Sequence, residues 1–182
     1  MTPLTANTKR KKNLRRLTLS QMDLGSDDLV DLVIRVLMCQ KQPLQVVDLS
    51  HARLCARHLV RISDELQANP YVTKSLNLSY NTMPSFQGDL QGKALVLAFI
   101  KNMQGYLALA DNLNHINLSG MGLLNVGDDA LYEEFLDLCF HLASCMCLQC
   151  IHLSDNCIGT NVREREKAEI MELFGVDDQV AE

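Results

Sequence analysis

The side chains with the most chemical potential in this 182-residue chain are thiols and imidazoles, gathered toward its C-terminal end. Cys150 and His152 stand two apart with Ser154 beyond them, and four of the seven cysteines (Cys139, Cys145, Cys147, Cys150) fall in twelve residues. Thiolate and imidazole are ligands for borderline-soft metals, and a histidine beside a serine is half of a nucleophilic site. Neither pattern is complete. Cys145-Met146-Cys147 is CxC rather than the CxxC of a structural zinc site, and no second pair follows at finger spacing. His152 and Ser154 have no evident orienting acid or oxyanion hole. The chain also lacks a Gly-rich phosphate loop of Walker or dinucleotide type, and it has no paired carboxylates at a recognisable spacing. The sequence therefore predicts no enzyme activity, no cofactor and no resident metal. The cysteines read as small apolar filling of a packed interior. Their odd number, without an apolar h-region near the N-terminus, points to free thiols in a reducing compartment.

Whether His115 joins Cys150 and His152 depends on the elements that carry them. Thr73 to Met83 alternates apolar and polar residues through Leu76 and Leu78, then turns at Ser79-Tyr80-Asn81. It is one of five copies of the template L-x-x-L-x-L-x-x-N-x-L. The others are Leu14-Leu17-Leu19-Met22-Leu24, Leu44-Val47-Leu49-Ala52-Leu54, Leu113-Ile116-Leu118-Met121-Leu123 and Leu148-Ile151-Leu153-Asn156-Ile158. Only Ala52 and Thr73 are neither large and apolar nor the template Asn. Successive starts lie 30, 29, 40 and 35 residues apart.

Each strand precedes a segment of helical period. Ser26 is placed to cap a first helix, with Asp27 and Asp28 in its first turn and a stripe of Leu29, Leu32, Val33, Val36 and Leu37. Leu59, Ile62 and Leu66 form a second stripe that ends before Asn69-Pro70. Pro84 to Gly92 reads as a surface loop before a helix carrying Leu95, Val96, Phe99, Ile100 and Met103. Gly127-Asp128-Asp129 opens a fourth helix with Leu131, Phe135, Leu138, Leu142 and Cys145. Asn161 with Glu164 fits a capping box for a fifth, Ile170, Met171 and Phe174 face inward, and Gly175 suits its stop.

Five copies in register resemble the leucine-rich repeat family, and the spacings near 29 residues with full helices resemble its ribonuclease-inhibitor-like subclass. The resemblance implies an α/β, right-handed horseshoe solenoid with a parallel sheet on the concave face and helices on the convex face. The Asn position holds Asn only at Asn81 and Asn156, which predicts a broken amide ladder. The longer spacings predict insertions and an uneven curve.

Within each strand the template residues point inward and those between them outward. The concave face should then carry Arg16, Val46, Ser75, His115 and Cys150 in one column and Thr18, Asp48, Asn77, Asn117 and His152 in the next. A serine column follows (Ser20, Ser50, Ser79, Ser119, Ser154), then a loop position with Gln21, His51, Tyr80 and Asp155. The serines read as turn residues bonding nearby backbone. The expected partner surface is this concave face, with Tyr80 beside it. His115, Cys150 and His152 should cluster, and read as ordinary polar contacts of that surface.

Charge is unevenly placed. Lys9, Arg10, Lys11, Lys12, Arg15 and Arg16 stand in the first 22 residues with no acid, while the remaining 11 basic residues meet 22 acidic ones, a net of −11. Residues 1–12 are expected to be a flexible basic arm, 13–175 the repeat domain and 176–182 an acidic tail. The arm suits an acidic protein surface, RNA phosphates or nuclear import. It also suits mitochondrial targeting, though Leu14 already belongs to the repeats. No eighteen-residue apolar run occurs, so no membrane span is expected. The concave columns lack a Lys/Arg stripe with interleaved aromatics, which argues against a nucleic-acid groove there. The function expected is a non-enzymatic scaffold or adaptor in an intracellular, cytoplasmic or cytoskeletal assembly. The alternatives are a ribonucleoprotein component and a GTPase regulator resembling the Ran-activating type, for which Arg53 would be the loop arginine.

Overall fold

The computed structural model of the chain describes residues 14–81, 83, 90–123, 129–156 and 164–175, with the side chains of 129, 164–167 and 169 left aside. Strands and helices alternate through these residues: β1 (Arg16–Thr18), α1 (Asp27–Met38), β2 (Val46–Asp48), α2 (Ala56–Ala68), β3 (Ser75–Asn77), α3 (Leu90–Leu107), β4 (His115–Asn117), α4 (Asp129–Ser144), β5 (Cys150–His152) and α5 (Glu164–Leu173). The strands form one parallel sheet in sequence order, β1-β2-β3-β4-β5. The register pairs Leu17 with Val47, Val47 with Leu76, Leu76 with Ile116 and Ile116 with Ile151. Equivalent template positions of successive repeats are therefore neighbours, as the sequence alignment requires. Each helix packs on the next, so no repeat buries its apolar side alone.

The core lies between sheet and helices and is aliphatic. Val47, Leu49, Leu76, Leu78, Ile116 and Leu118 are fully buried, whereas Leu17, Leu19, Ile151 and Leu153 at the two ends are only partly so. Both off-template residues fit. Thr73 is buried with its hydroxyl donating to Ser75 O at 2.8 Å, and buried Ala52 gives its backbone N–H to Asn81.

The helices mostly follow their sequence stripes. Ser26 caps α1, its Oγ accepting from Leu29 N at 3.4 Å, and Leu59, Ile62 and Leu66 are buried in α2, which ends at Ala68. Two boundaries move: Leu90 to Gly92 belong to α3 rather than to the preceding loop, and Cys145 follows α4 rather than lying in it. The α1 stripe holds in part: Val33 and Leu37 are buried as expected, and Val30 joins them in place of Leu29 and Leu32, which are exposed. Leu14, Met22 and Met38 are exposed in the same first repeat, so its end of the solenoid is apolar. Residues 1–12 and 176–182, the segment 84–89, Gly127-Asp128 and Asn161 lie outside the described residues.

Two carboxamides join repeats from inside. Asn81 Oδ1 accepts from Ala52 N and Leu54 N, both at 3.1 Å, while its Nδ2 donates to Leu49 O and Leu78 O at 2.8 Å. Asn156 repeats the pattern one pair of units later, accepting from Met121 N and Leu123 N and donating to Leu118 O and Leu153 O. The ladder is broken, as the sequence indicates: these residues tie repeat three to two and five to four. A buried backbone group without a partner costs about 1–3 kcal/mol. Replacing Asn81 by Ala should therefore lower unfolding free energy by roughly 3 kcal/mol in urea titration. A loss well under about 1 kcal/mol would show that water or backbone shifts satisfy the same groups.

Candidate functional site

The strand-to-loop turns shape the concave rim. Gln21, His51, Tyr80, Gly120 and Asp155 all have positive φ, between 52° and 64°. A left-handed residue is uncommon outside glycine, so its recurrence in every repeat marks one turn used five times. The turn keeps the sheet's hydrogen bonding going: Gln21 N donates to Ser50 O, His51 N to Ser79 O, Tyr80 N to Ser119 O and Gly120 N to Ser154 O, at 2.8–3.0 Å.

The middle concave column is largely consumed by this turn. Asn77 Oδ1 accepts from Ser79 N at 3.1 Å and Ser79 Oγ at 2.7 Å, and Asp48 does the same for Ser50. Asn117 Oδ1 accepts from Ser119 N at 2.9 Å. The sequence reading gave the turn chemistry to the serines; in three repeats the Asp or Asn two residues earlier is the acceptor, and the serine supplies the donors. Asp48, Asn77 and Asn117 are half-buried. Their primary work is local.

The remaining concave residues divide by position. Arg16 and Thr18 are exposed at the first strand, with Arg15 beside them, and Val46 is half-buried. Lys9, Arg10, Lys11 and Lys12 lie outside the described residues. At the other end the register sets His115 beside both Ser75 and Cys150, and Asn117 beside His152. Ser75 Oγ lies 3.1 Å from His115 Nδ1, Cys150 Sγ lies 3.1 Å from His152 Nε2, and the two imidazole centroids are 5.2 Å apart. Partial burial, then the nearby His152, hold the His115 pKa below the usual imidazole value. His152 is thus engaged with Cys150, and Ser154 Oγ donates to Ser119 Oγ, so His152 and Ser154 do not pair.

Tyr80 is the largest exposed side chain of the rim at 44%. Its ring stacks on His51 with centroids 4.5 Å apart and planes 10° from parallel. It passes over Gly120, where a Cβ would stand 2.3 Å from Tyr80 Cδ1. Its hydroxyl donates to Asp155 Oδ2 at 2.8 Å. One side chain of repeat three thus touches repeats two, four and five. Sequence reasoning placed His51, Tyr80 and Asp155 in one loop column but missed that they touch. The available signal was Gly120, the missing side chain that leaves the path open.

Other features lie elsewhere. Arg53 Nη1 bonds Asp23 Oδ2 at 2.9 Å, so this loop arginine is held against the first repeat. The Gly25 N–H, followed by Arg53, keeps the Asp23 carboxyl below its usual range. Cys139 is buried, which pushes its thiol up to about 12, and Cys147 Sγ donates to Ala110 O at 3.1 Å. Among the described cysteines only Cys139 fills the interior as expected; Cys145 and Cys147 are half-buried, and Cys39, Cys55 and Cys150 are exposed. A cavity of about 880 Å³ lies between α4 and α5, lined by Glu133, Glu134, Asp137, Phe140, Glu172 and neighbours, away from the sheet. Among the described residues no helix is long and apolar enough to cross a membrane.

No family model and no curated protein sequence matches the chain. Its structure is similar to the C-terminal domain of tropomodulin from Caenorhabditis elegans, with a TM-score of 0.58 over 91% of this chain and 84% of that one, at 12% identity. This likeness establishes the fold: an α/β, leucine-rich-repeat-like solenoid.

The rim geometry is testable through the Tyr80 phenol. Its bond to the Asp155 carboxylate, and then that group's charge, raise the Tyr80 pKa, because ionisation would set two negative charges together. Asp155→Asn should lower the pH at which Tyr80 ionises in an ultraviolet titration, with Tyr80→Phe identifying the signal. An unchanged midpoint would contradict the contact. Gly120→Ala should displace the ring and also lower the midpoint.

Proposed function

We propose that the chain is a non-enzymatic interaction module that holds a protein partner against its concave rim. The observation that carries this reading is the Tyr80 ridge, a half-exposed aromatic fixed by His51 below and Asp155 at its tip. A pre-ordered aromatic presents contact area with little entropy left to lose on binding, the property of interface anchors. The surrounding surface is polar and varied, from Arg16 and Thr18 across Ser75 to His115 and His152. Val46, Asp48, Asn77, Asn117 and Cys150 complete the proposed footprint.

The solenoid likeness supports a binding role through the fold alone. The adaptor would belong to a cytoplasmic or cytoskeletal assembly. The ribonuclease-inhibitor-like subclass remains part of the proposal, resting on the 29- and 30-residue spacings. Membership in a larger assembly is supported by the exposed apolar end formed by Leu14, Met22, Leu29, Leu32 and Met38. The basic residues Lys9 to Lys12, with Arg15, would supply a second, electrostatic point of docking on an acidic protein surface.

The test compares proteins retained from cell extract by the full chain and by single variants, followed by affinity measurement with the purified partner. Tyr80→Ala should weaken the partner by on the order of 30-fold, as loss of an anchor worth about 2 kcal/mol does. Phe140→Ala, on the helical side, should leave affinity unchanged. A partner that tolerates Tyr80→Ala and is lost with Phe140→Ala places recognition on the helices. Retention of RNA that salt removes, and that deletion of residues 1–12 abolishes, would favour the ribonucleoprotein reading.

A further inference from the structure

His115, Cys150 and His152 each offer a ligand atom, and these atoms all lie within 4.8 Å of one another. We propose that these three residues form a zinc site with an open fourth position at the C-terminal end of the concave face. The proposal is independent of which protein the rim binds.

The backbone brings the ligands together without special loops. Cys150 and His152 are two apart on β5 and so project to the same face. His115 stands opposite Cys150 in the β4–β5 register, and parallel neighbours are about 4.8 Å apart. The cluster is thus fixed by two adjacent strands of a rigid sheet.

The donor set is specific. One thiolate and two imidazoles suit a borderline-soft cation, and zinc takes such sets at about 2.0–2.1 Å to nitrogen and about 2.3 Å to sulfur. Tetrahedral edges built from those bonds are about 3.3–3.7 Å. The Cys150–His152 separation of 3.1 Å is already close to that edge. The remaining closure is about 1 Å, within reach of side-chain rotation. Cys150 and His152 are exposed and His115 is half-buried, so their side chains have room to turn.

Ser75 supplies an outer partner of the kind metal-bound histidines require. Its hydroxyl engages His115 Nδ1 at 3.1 Å, which leaves Nε2 for the ion and orients the ring. Binding transfers the Cys150 thiol proton to solvent, so the bound thiolate offsets one of the two cation charges. Three protein ligands leave a tetrahedral ion one vacant position, open to water or to a partner's carboxylate or imidazole.

The test uses the full chain, stripped of metal and kept reduced with a phosphine. Equilibrium dialysis against zinc should give one ion per chain, and cobalt(II) should give a thiolate-to-metal charge-transfer band. Cys150→Ser should abolish that band and weaken zinc about 100-fold or more, with His152→Ala matching it in affinity. Ser75→Ala should weaken zinc by about 10–100-fold while retaining the band, as loss of a positioning residue does. Far-UV circular dichroism should be the same for all three variants, since two of the side chains are exposed. Should any one alter the fold, zinc-dependent protection of Cys150 from alkylation in the unmodified chain supplies the readout. The proposal is overturned if zinc fails to bind, if the Cys150 thiol stays equally reactive with zinc present, or if binding survives Cys150→Ser and disappears in Cys145→Ser/Cys147→Ser.

Discussion

The structure depends on satisfying backbone groups at tight turns buried between repeats. A three-residue strand pairs with its neighbours, but the loop that follows presents N–H and C=O groups to an aliphatic interior, where an unpaired group is costly. Two devices answer this. A left-handed residue after each strand lets the chain turn while its N–H continues the sheet ladder. The carboxamides of Asn81 and Asn156 each bridge four backbone groups across a pair of repeats. In repeats two and four, where the template Asn is absent, Ala52 and Met121 occupy the same buried position and the neighbouring repeat's Asn reaches over them, whereas Met22 of repeat one is exposed.

Function is what this scaffolding leaves free. Asp48, Asn77 and Asn117 point to the concave side yet close their own turns. Apart from Arg16 and Thr18 on β1, the side chains left over gather toward repeats three to five: Tyr80 on its ridge, and the thiol and imidazoles of β4 and β5. Both groups are held by the same feature, strict alignment of equivalent positions on adjacent strands. A rigid surface of this kind binds with little ordering cost, which suits it to recognition.

The strand register, the aliphatic core and most helix stripes were legible because they rest on spacing that repeats five times. Leu76 predicts Ile116 as its neighbour, and the sheet places it there. The α1 stripe was legible only in part: Val33 and Leu37 are buried as expected, Leu29 and Leu32 are not. Leu29-Leu32-Val36 and Val30-Val33-Leu37 are both apolar at helical spacing, and only packing against the next repeat decides between them. Side-chain division of labour was hidden for a similar reason. Asn77 and Ser79 can each cap a turn, and distance alone shows which atom accepts. The His51–Tyr80–Asp155 contact crosses three repeats, so no local pattern displays it, though the bare Cα of Gly120 marks its path.

The central claim is that a protein partner rests on the concave rim around Tyr80. Backbone amide spectra of the isotope-labelled full chain, recorded with and without the purified partner, test it most directly. The account predicts that perturbed signals gather at His51, at 75–80, at 115–120 and at 150–155. Perturbations confined to α1–α5 or to residues 1–12, with the rim unmoved, would contradict it.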